Sequence, residues 1–391
     1  MAIEGGKDNA AGGRIRLGMV GGGEGAFIGG VHRIAARLDG EFDLVAGALS
    51  SDPDRARASG AALGLMPERS YASFAEMAKR EARLKNGIEA VAIVTPNHMH
   101  YPAAREFLKR GIHVICDKPL TSTLPDARKL AALAEKSGAV FVLTHNYTGY
   151  PMVRQAREMI ASGMLGRLRV VQAEYPQDWL SERLEATGQK QADWRTDPAR
   201  SGAGGCVGDI GTHAYNLACF VTGLAAEELA ADLTTFVDGR KLDDNVHVML
   251  RFSGGARGML WASQVAPGNE NGLRLRVYGE KGGLEWEQEQ PNHLWYTPFG
   301  EEKRLITRGG AGAGAAAARV SRIPAGHPEG YLEGFANIYQ EAARAIRAAR
   351  DGGGRPDPDV LYPTVSDGLA GMAFIDACVR SSARNGQWVR L

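Results

Sequence analysis

Apolar positions along this chain fall into two regimes. Up to Thr144, short apolar runs at 15–20, 44–49, 90–94, 112–116 and 139–144 alternate with stretches whose apolar residues recur three and four apart. The runs have the character of buried strands and the stretches that of helices. Val31, Ile34, Ala35 and Leu38 form one such helical face, and 124–137 is a further helix. Strand and helix in alternation predict a parallel sheet covered on both faces, an α/β first domain. Past Thr144 the pattern changes. A helix is expected over 151–161, an alternating strand over 168–175, and a long irregular stretch over 176–208. Strand-like runs then follow one another at 228–237, 246–252, 256–265, 273–279 and 283–286. Strands in succession predict an α+β second domain with a large, mostly antiparallel sheet. The Gly/Ala stretch 309–318 reads as a mobile surface loop. Helices over 331–350 and 365–382 close the chain around a Gly/Pro-rich break at 352–358. The expected organisation is a loose tail (1–13), a first domain (14–145) and a second (146–391).

Composition narrows the class. At 391 residues the chain suits two domains. Hydrophobic content of 44% and charged content of 23% are those of an ordinary soluble globular protein. A net charge of +1 gives no electrostatic case for nucleic acid or an anionic membrane as partner. The four cysteines, Cys116, Cys206, Cys219 and Cys378, are scattered without a C-x-x-C pair, which fits a reducing compartment and argues against disulfides or a zinc knuckle. No segment is long and apolar enough to span a bilayer, and the start lacks the apolar core of a signal peptide, so a cytoplasmic location is expected.

Three places carry candidate chemistry. The first strand runs into a glycine-rich stretch, 21–30, followed by a helix. Strand, glycine turn and helix together bind phosphate, because glycine lets the backbone come close and the helix start offers free N–H groups. Gly21 and Gly23 fit the G-x-G-x-x-G spacing, whereas the helix-side glycine, Gly29, comes three residues late. At the tip of the second strand an acid suits the ribose of NAD and an arginine suits the phosphate of NADP. Here Ser50 and Ser51 occupy the tip, Asp52 follows, and Arg55 lies on the next helix, so the choice stays open; Ser51 or Asp52 also serves as a helix cap before Pro53. The loop after the third strand holds His98 and His100, two apart and without further metal ligands nearby, so no metal site is expected. Asp117, Lys118 and Pro119 end the fourth strand, where residues of a parallel sheet line the ligand crevice; a lysine there donates to a reacting oxygen or relays a proton. Lastly, Asp209 and His213 lie four apart after a run of glycines, on one face of an apolar helix. A carboxylate beside an imidazole is an acid/base unit, and it is equally a helix cap beside a half-buried histidine.

Taken together, the glycine turn, Thr95-Pro-Asn97 with His100, Asp117-Lys-Pro119 and Gly208-Asp-x-Gly-x-His213 resemble the glucose–fructose oxidoreductase / inositol dehydrogenase / rhizopine catabolism (Gfo/Idh/MocA) family over nearly the whole chain. The segment 176–208 and the stretch 326–331 resemble its levoglucosan dehydrogenase-type branch. The resemblance implies a Rossmann domain followed by an open-faced sheet that forms homodimers or homotetramers. It implies NAD as cofactor, with NADP not excluded, and oxidation of a secondary alcohol on a sugar, anhydrosugar or cyclitol. Carried onto this chain, it makes Lys118, His213 and Asp209 catalytic. Gly21, Gly23, Ala26, Phe27, Ile28, Ser50, Ser51, Arg55, Thr95, Pro96, Asn97, His100, Asp117 and Lys118 would hold the cofactor. The family most often has glutamate at position 117, and the shorter Asp117 puts its part in doubt. From position and chemistry, Asn146, Tyr147, Tyr150, Trp179, Trp194, Arg195 and His327 are candidate substrate contacts, with Tyr331 beside His327. Two other activities fit the same fold: a glycosidase that keeps its NAD and oxidises the sugar transiently, and a non-catalytic dinucleotide sensor.

Overall fold

A computed structural model describes residues 13–352 and 357–391. The tail expected over 1–13 lies, except for Gly13, outside them, as do 353–356 of the expected break. The chain divides into two compact units. Of the described residues, one comprises those up to Thr121, Pro125–Asn146 and those within Tyr331–Ser366; the other Ser122–Leu124, Tyr147–Gly330 and Asp367–Leu391.

The first unit alternates as its pattern predicts: β1 (Ile15–Gly21), α1 (Phe27–Leu38), β2 (Phe42–Ala48), α2 (Pro53–Ala62) and α3 (Phe74–Glu81). Then come β3 (Ala90–Val94), α4 (His100–Leu108), β4 (His113–Cys116), α5 (Leu124–Ser137) and β5 (Phe141–Leu143). The five strands are parallel in the order β2-β1-β3-β4-β5. Strand order reverses between β1 and β3, and ligands of such sheets bind beyond the strand ends at that switch. The late helix Tyr331–Arg350 belongs to this unit, so the boundary expected at 145/146 leaves it out. Its Phe335, Ile338, Tyr339, Ala342 and Ile346 join Ile15, Leu17 and Met19 of β1 and Val31 and Ala35 of α1 in one buried core. Each large apolar side chain so buried contributes about 1.5–3 kcal/mol. The buried face of α1 is not the expected one: Ile34 and Leu38 are exposed, while Gly29, His32 and Ala36 are buried with Val31 and Ala35. Small residues let the two helices pack closely, and that close packing outranks hydropathy here.

The second unit contains α6 (Pro151–Ala161), β6 (Leu168–Pro176), α7 (Lys190–Arg195), α8 (Pro198–Ser201) and α9 (Thr212–Thr222). After β7 (Ala226–Thr234) come β8 (Asn245–Phe252), β9 (Arg257–Ser263), β10 (Arg274–Gly279), β11 (Gly282–Glu287), β12 (His293–Pro298) and β13 (Arg304–Thr307). Last come α10 (Ala315–Ala318), α11 (Tyr331–Arg350, already placed in the first unit), α12 (Val365–Ser382) and β14 (Val389–Arg390). The nine strands run β13-β12-β11-β10-β6-β9-β8-β7-β14, antiparallel except for the β6–β9 pair. Helix α9 packs across β6, β9 and β10, and Tyr215 of α9 stacks on Phe374 of α12 at 4.3 Å. The stretch read as a mobile loop is instead partly helical and packed: Ala317 is fully buried, α10 lies on α6, and Gly314 N–H donates to Gln155.

Candidate active site

In the first unit β1 ends in three glycines whose backbone a side chain would obstruct. Gly21 and Gly22 have φ of 78° and 71°, a region that L-residues rarely adopt. A Cβ on Gly29 would collide with Cα and O of Gly22, so this late glycine makes the close helix–turn approach. Arg33 of α1 donates to Gly22 O at 2.6 Å, and Gly23 N–H to Leu49 O at 3.2 Å. Ala26 stands at the N-cap of α1, and the helix has no side-chain cap, whereas α2 and α3 are capped by Asp52 and Ser73. Its first turn, Phe27 and Ile28 onward, thus offers N–H donors suited to a pyrophosphate. Phe27 is exposed and its ring lies 6.4 Å from that of Tyr331, which places Tyr331 with this turn. Replacing Gly29 by alanine should cost about 1–3 kcal/mol of stability and at least about tenfold in NAD affinity, read by calorimetric titration against thermal unfolding.

The tip of β2 resolves one alternative. Asp52, rather than Ser51, caps α2, accepting from Arg55 N–H at 2.8 Å, while its own N–H donates to Ser50 Oγ at 3.1 Å. The acid is thereby held by its own helix, and Ser51 and Arg55 are exposed. After β3, Thr95 Oγ1 is buried with no partner among the described residues, an orphan that a bound cofactor would satisfy. Pro96 precedes the short turn Asn97–Met99, with Asn97 buried. The buried His100 lies between two carbonyls, Pro119 O at 2.8 Å from Nδ1 and Thr95 O at 2.9 Å from Nε2. It packs between the loops after β3 and β4, its one ring N–H donating to one of the two carbonyls, and burial holds its pKa down against the pull of Asp117.

Beyond β4, Asp117 accepts from Thr144 Oγ1 at 2.7 Å and lies 3.3 Å from His32 Nε2, whose Nδ1 is 2.8 Å from Tyr339 OH. Burial pushes its carboxyl upward, yet His32, Thr144 and His100 outweigh burial and hold it below the usual range. Asp117 is thus a framework group that locks the end of β4 to α1 and β5, immediately before the half-buried Lys118. His32, Tyr339 and Thr144 gave no signal in the sequence, being far apart along the chain. His145 was missed too. It is buried, and burial first, then the charge of Lys118, pushes its pKa from 6.5 to about 3, with Asp117 opposing. A histidine kept neutral in the fold binds its proton in the unfolded chain first, so stability falls as pH drops from 6.5 toward about 3. The slope is at most about 1.4 kcal/mol per pH unit per histidine. Asp117 acts in the same direction, and Asp243, raised to about 6, in the opposite one. His100 and His113, also held down by burial, act with His145 and outnumber Asp243, so thermal midpoints should fall on acidification below about pH 6.5, and less steeply in His145→Gln. Asn146, equally buried, has its Nδ2 without a partner among the described residues.

In the second unit, Asp209 lies in a turn of wider, π-type winding, Val207–Gly211, that opens α9 and its His213. Such irregular winding recurs at functional sites. Asp209 Oδ2 is 3.3 Å from Arg195 Nε and accepts from Gln264 Nε2 at 3.0 Å. The His213 ring meets Tyr147 edge-on at 4.9 Å and Tyr175 at 6.3 Å. Tyr147 and Tyr175 hydroxyls are 2.5 Å apart, and burial, with the Asp209 charge adding, pushes the Tyr147 phenol up. Tyr147 and Tyr150 are buried wall residues, stacked at 5.9 Å. The tryptophans are half-exposed: Trp179 donates to Gln177 at 3.1 Å, and the guanidinium of Arg195 covers Trp194 at 4.3 Å. Amides unforeseen in the sequence complete the set. Gln177 and Tyr175 both donate to Asn271 Oδ1 at 2.8 Å, and Asn271 donates to Gln288 at 2.8 Å. Asn216, one turn beyond His213, has a buried Oδ1 without a partner among the described residues. His327 is exposed, its carbonyl held by Arg308; among the described residues no hydrogen bond or ring contact joins it to this set.

Comparisons with known proteins match two stretches of the chain separately. A family described as "Oxidoreductase family, NAD-binding Rossmann fold" matches residues 15–145, and the GFO/IDH/MocA C-terminal domain matches 153–285. The chain is similar to the crystal structure of an oxidoreductase from Sinorhizobium meliloti, at 68% identity over 97% of this chain and 100% of that one, TM-score 0.88. It is also similar to an inositol dehydrogenase homolog from Azotobacter vinelandii complexed with NADH and myo-inositol, at 36% identity over 97% and 98%, TM-score 0.90. Levoglucosan dehydrogenase from Pseudarthrobacter phenanthrenivorans is 27% identical over 77% of this chain and 80% of its own. An inositol dehydrogenase homolog and a levoglucosan dehydrogenase, two of the types named by the sequence resemblance, are thus among the relatives, the former with the higher identity. The first unit is an NAD-binding Rossmann domain.

Proposed function

Because the chain belongs to the GFO/IDH/MocA oxidoreductase family, we propose that it transfers a hydride between a secondary alcohol of a cyclitol, sugar or anhydrosugar and NAD. The reading rests above all on one observation: Asp209, held by Arg195 and Gln264, opens the helix whose His213 is walled by the phenols of Tyr147 and Tyr175. The amides of Gln177, Asn271 and Gln288 beside half-exposed Trp179 support a polyhydroxylated ring as substrate, since each hydroxyl both donates and accepts. His213 takes the hydroxyl proton, and Lys118 donates to the same oxygen as negative charge grows on it, an interaction strongest in the transition state. Asp209 binds a neighbouring hydroxyl or orients His213. Bound NAD supplies the acceptor for the hydride. Asp52, turned into its own helix cap, leaves the tip of β2 open to the phosphate of NADP as well as to NAD.

A spectrophotometric screen of NAD and NADP against inositols, anhydrosugars, pyranoses and glycosides tests the reading. Net reduced nicotinamide with NAD and at least one polyol is expected. Glycoside cleavage without net reduction would point to the NAD-retaining glycosidase instead, and dinucleotide binding with neither activity to a sensor. The same reading includes a homodimer or homotetramer through the outer face of the nine-stranded sheet. Val170, Met249, Met259, Tyr278 and Trp295 are exposed there, interleaved with charged side chains. Sedimentation velocity reads that association directly.

A further inference from the structure

The turn that carries Asp209 is entered through Gly205 and Cys206, and the N–H groups of this entrance are held from far along the chain. Asp243, buried just before β8, accepts from Gly205 N–H at 2.6 Å through Oδ1 and from Val207 N–H at 2.8 Å through Oδ2. Its own carbonyl accepts from Cys206 N–H at 2.8 Å. Three consecutive N–H groups that open a helical segment, usually met by a local cap or by water, are thus all bound by one residue. The approach is direct: a Cβ on Gly205 would collide with the carbonyl oxygen of Asp243. Gly205 O in turn accepts from Asp209 N–H at 2.9 Å, so a shift of this entrance is passed to Asp209.

The neighbouring residue holds the other end. Asp244 accepts from Phe236 and Val237 N–H at 2.9 and 3.0 Å, and Arg240 donates to it at 3.2 Å. The carbonyl of Asp244 accepts from Gln264 N–H at 2.8 Å, and the side chain of Gln264 donates to Asp209 Oδ2. The pair Asp243–Asp244 therefore grips Asp209 twice, through its backbone at Gly205 and through its carboxylate at Gln264.

We propose that Asp243 is a positioning residue of the catalytic centre, which by binding the N–H groups of Gly205 and Val207 sets where Asp209 and His213 stand. This rests on the roles given above to Asp209 and His213. Stability alone does not account for the choice of residue. Burial pushes the carboxyl up to about 6, with the charge of Asp244 adding, although the two N–H groups oppose this. A folded-state pKa raised in this way means that the ionised form destabilises the fold above that pH. A neutral residue of the same shape would relieve the buried charge, but only a carboxylate accepts from both N–H groups at once.

The decisive variant is Asp243→Asn, in which one N–H group faces an amide NH2. With NAD and myo-inositol, kcat should fall by about ten- to a hundredfold, the cost of a small misplacement. NAD affinity should stay within about twofold, and the thermal midpoint above pH 7 should change little, since removal of the buried charge offsets the N–H group left unpaired. Amide hydrogen exchange over 205–209 should quicken while the core strands keep their protection. Asp243→Ser, keeping one acceptor, should show the same split. Unchanged kcat with unchanged exchange would overturn the proposal, as would a loss of kcat matched by a loss of thermal midpoint or a failure of both variants to fold, each of which makes Asp243 merely structural. If the wild-type protein oxidises no polyol, the functional reading fails on its own, and exchange over 205–209 still decides whether Asp243 grips the turn.

Discussion

Lys118→Ala should lower turnover with NAD and its polyol by about 10²- to 10⁴-fold, the usual range for a lost donor or proton-transfer group at a reacting oxygen. NAD affinity should change little. The framework beneath the lysine is held by other side chains: Asp117 is fixed by Thr144 and His32, and His100 lies between the carbonyls of Thr95 and Pro119. The variant has a second readout. Lys118 is one of the causes that push His145 down, so removing its charge should let the His145 pKa rise, as NMR titration would record. Arginine should rescue poorly, because a planar guanidinium does not replace a compact ammonium at one oxygen. Turnover within about twofold of wild type would remove Lys118 from the chemistry.

His213→Gln is expected to cost about 10²- to 10⁴-fold in kcat, since glutamine keeps a hydrogen bond but takes no proton at neutral pH. KM should move far less. The walls around position 213, the Tyr147–Tyr175 pair and the Asn271–Gln288 amides, are bonded to one another. A loss confined to KM, with kcat kept, would make His213 a binding group rather than the base.

How much of this was readable in the sequence follows from what each feature depends on. The helices at Leu124–Ser137, Pro151–Ala161, Tyr331–Arg350 and Val365–Ser382 end where their periodic patterns end. Strand β3 is apolar throughout and bounded by turn residues, so it too was legible. The strands β12, β13 and β14 were not. The first interleaves polar residues with Leu294 and Tyr296, the second is short and half-exposed, and the last has two residues. Tyr331–Arg350 was visible as a helix but not as part of the first unit, because nothing local tells which sheet a helix will cover.

The site divides in the same way. Lys118, Asp209 and His213 stood out because strand ends and helix spacing are local properties. Asn271, Gln177, Gln264 and Gln288 are isolated amides, and an isolated amide acquires meaning only from what folds beside it. Asp117 was read as a shortened cofactor contact or lysine-orienting group; its bonds to Thr144 and His32, which also make it a brace of the β4 end, left no local pattern. The Gly29 spacing, a mismatch by motif, is explained by its contact with Gly22.

The proposed mechanism gives Lys118 and His213 parts in the same chemical step. Steady-state kinetics of Lys118→Ala, His213→Gln and the double variant measure this most directly. If both act on one oxygen, the double variant should be about as slow as the slower single variant, because groups that act as a unit are far from additive. Losses that simply multiply would mean that the two side chains act independently, and would contradict the account.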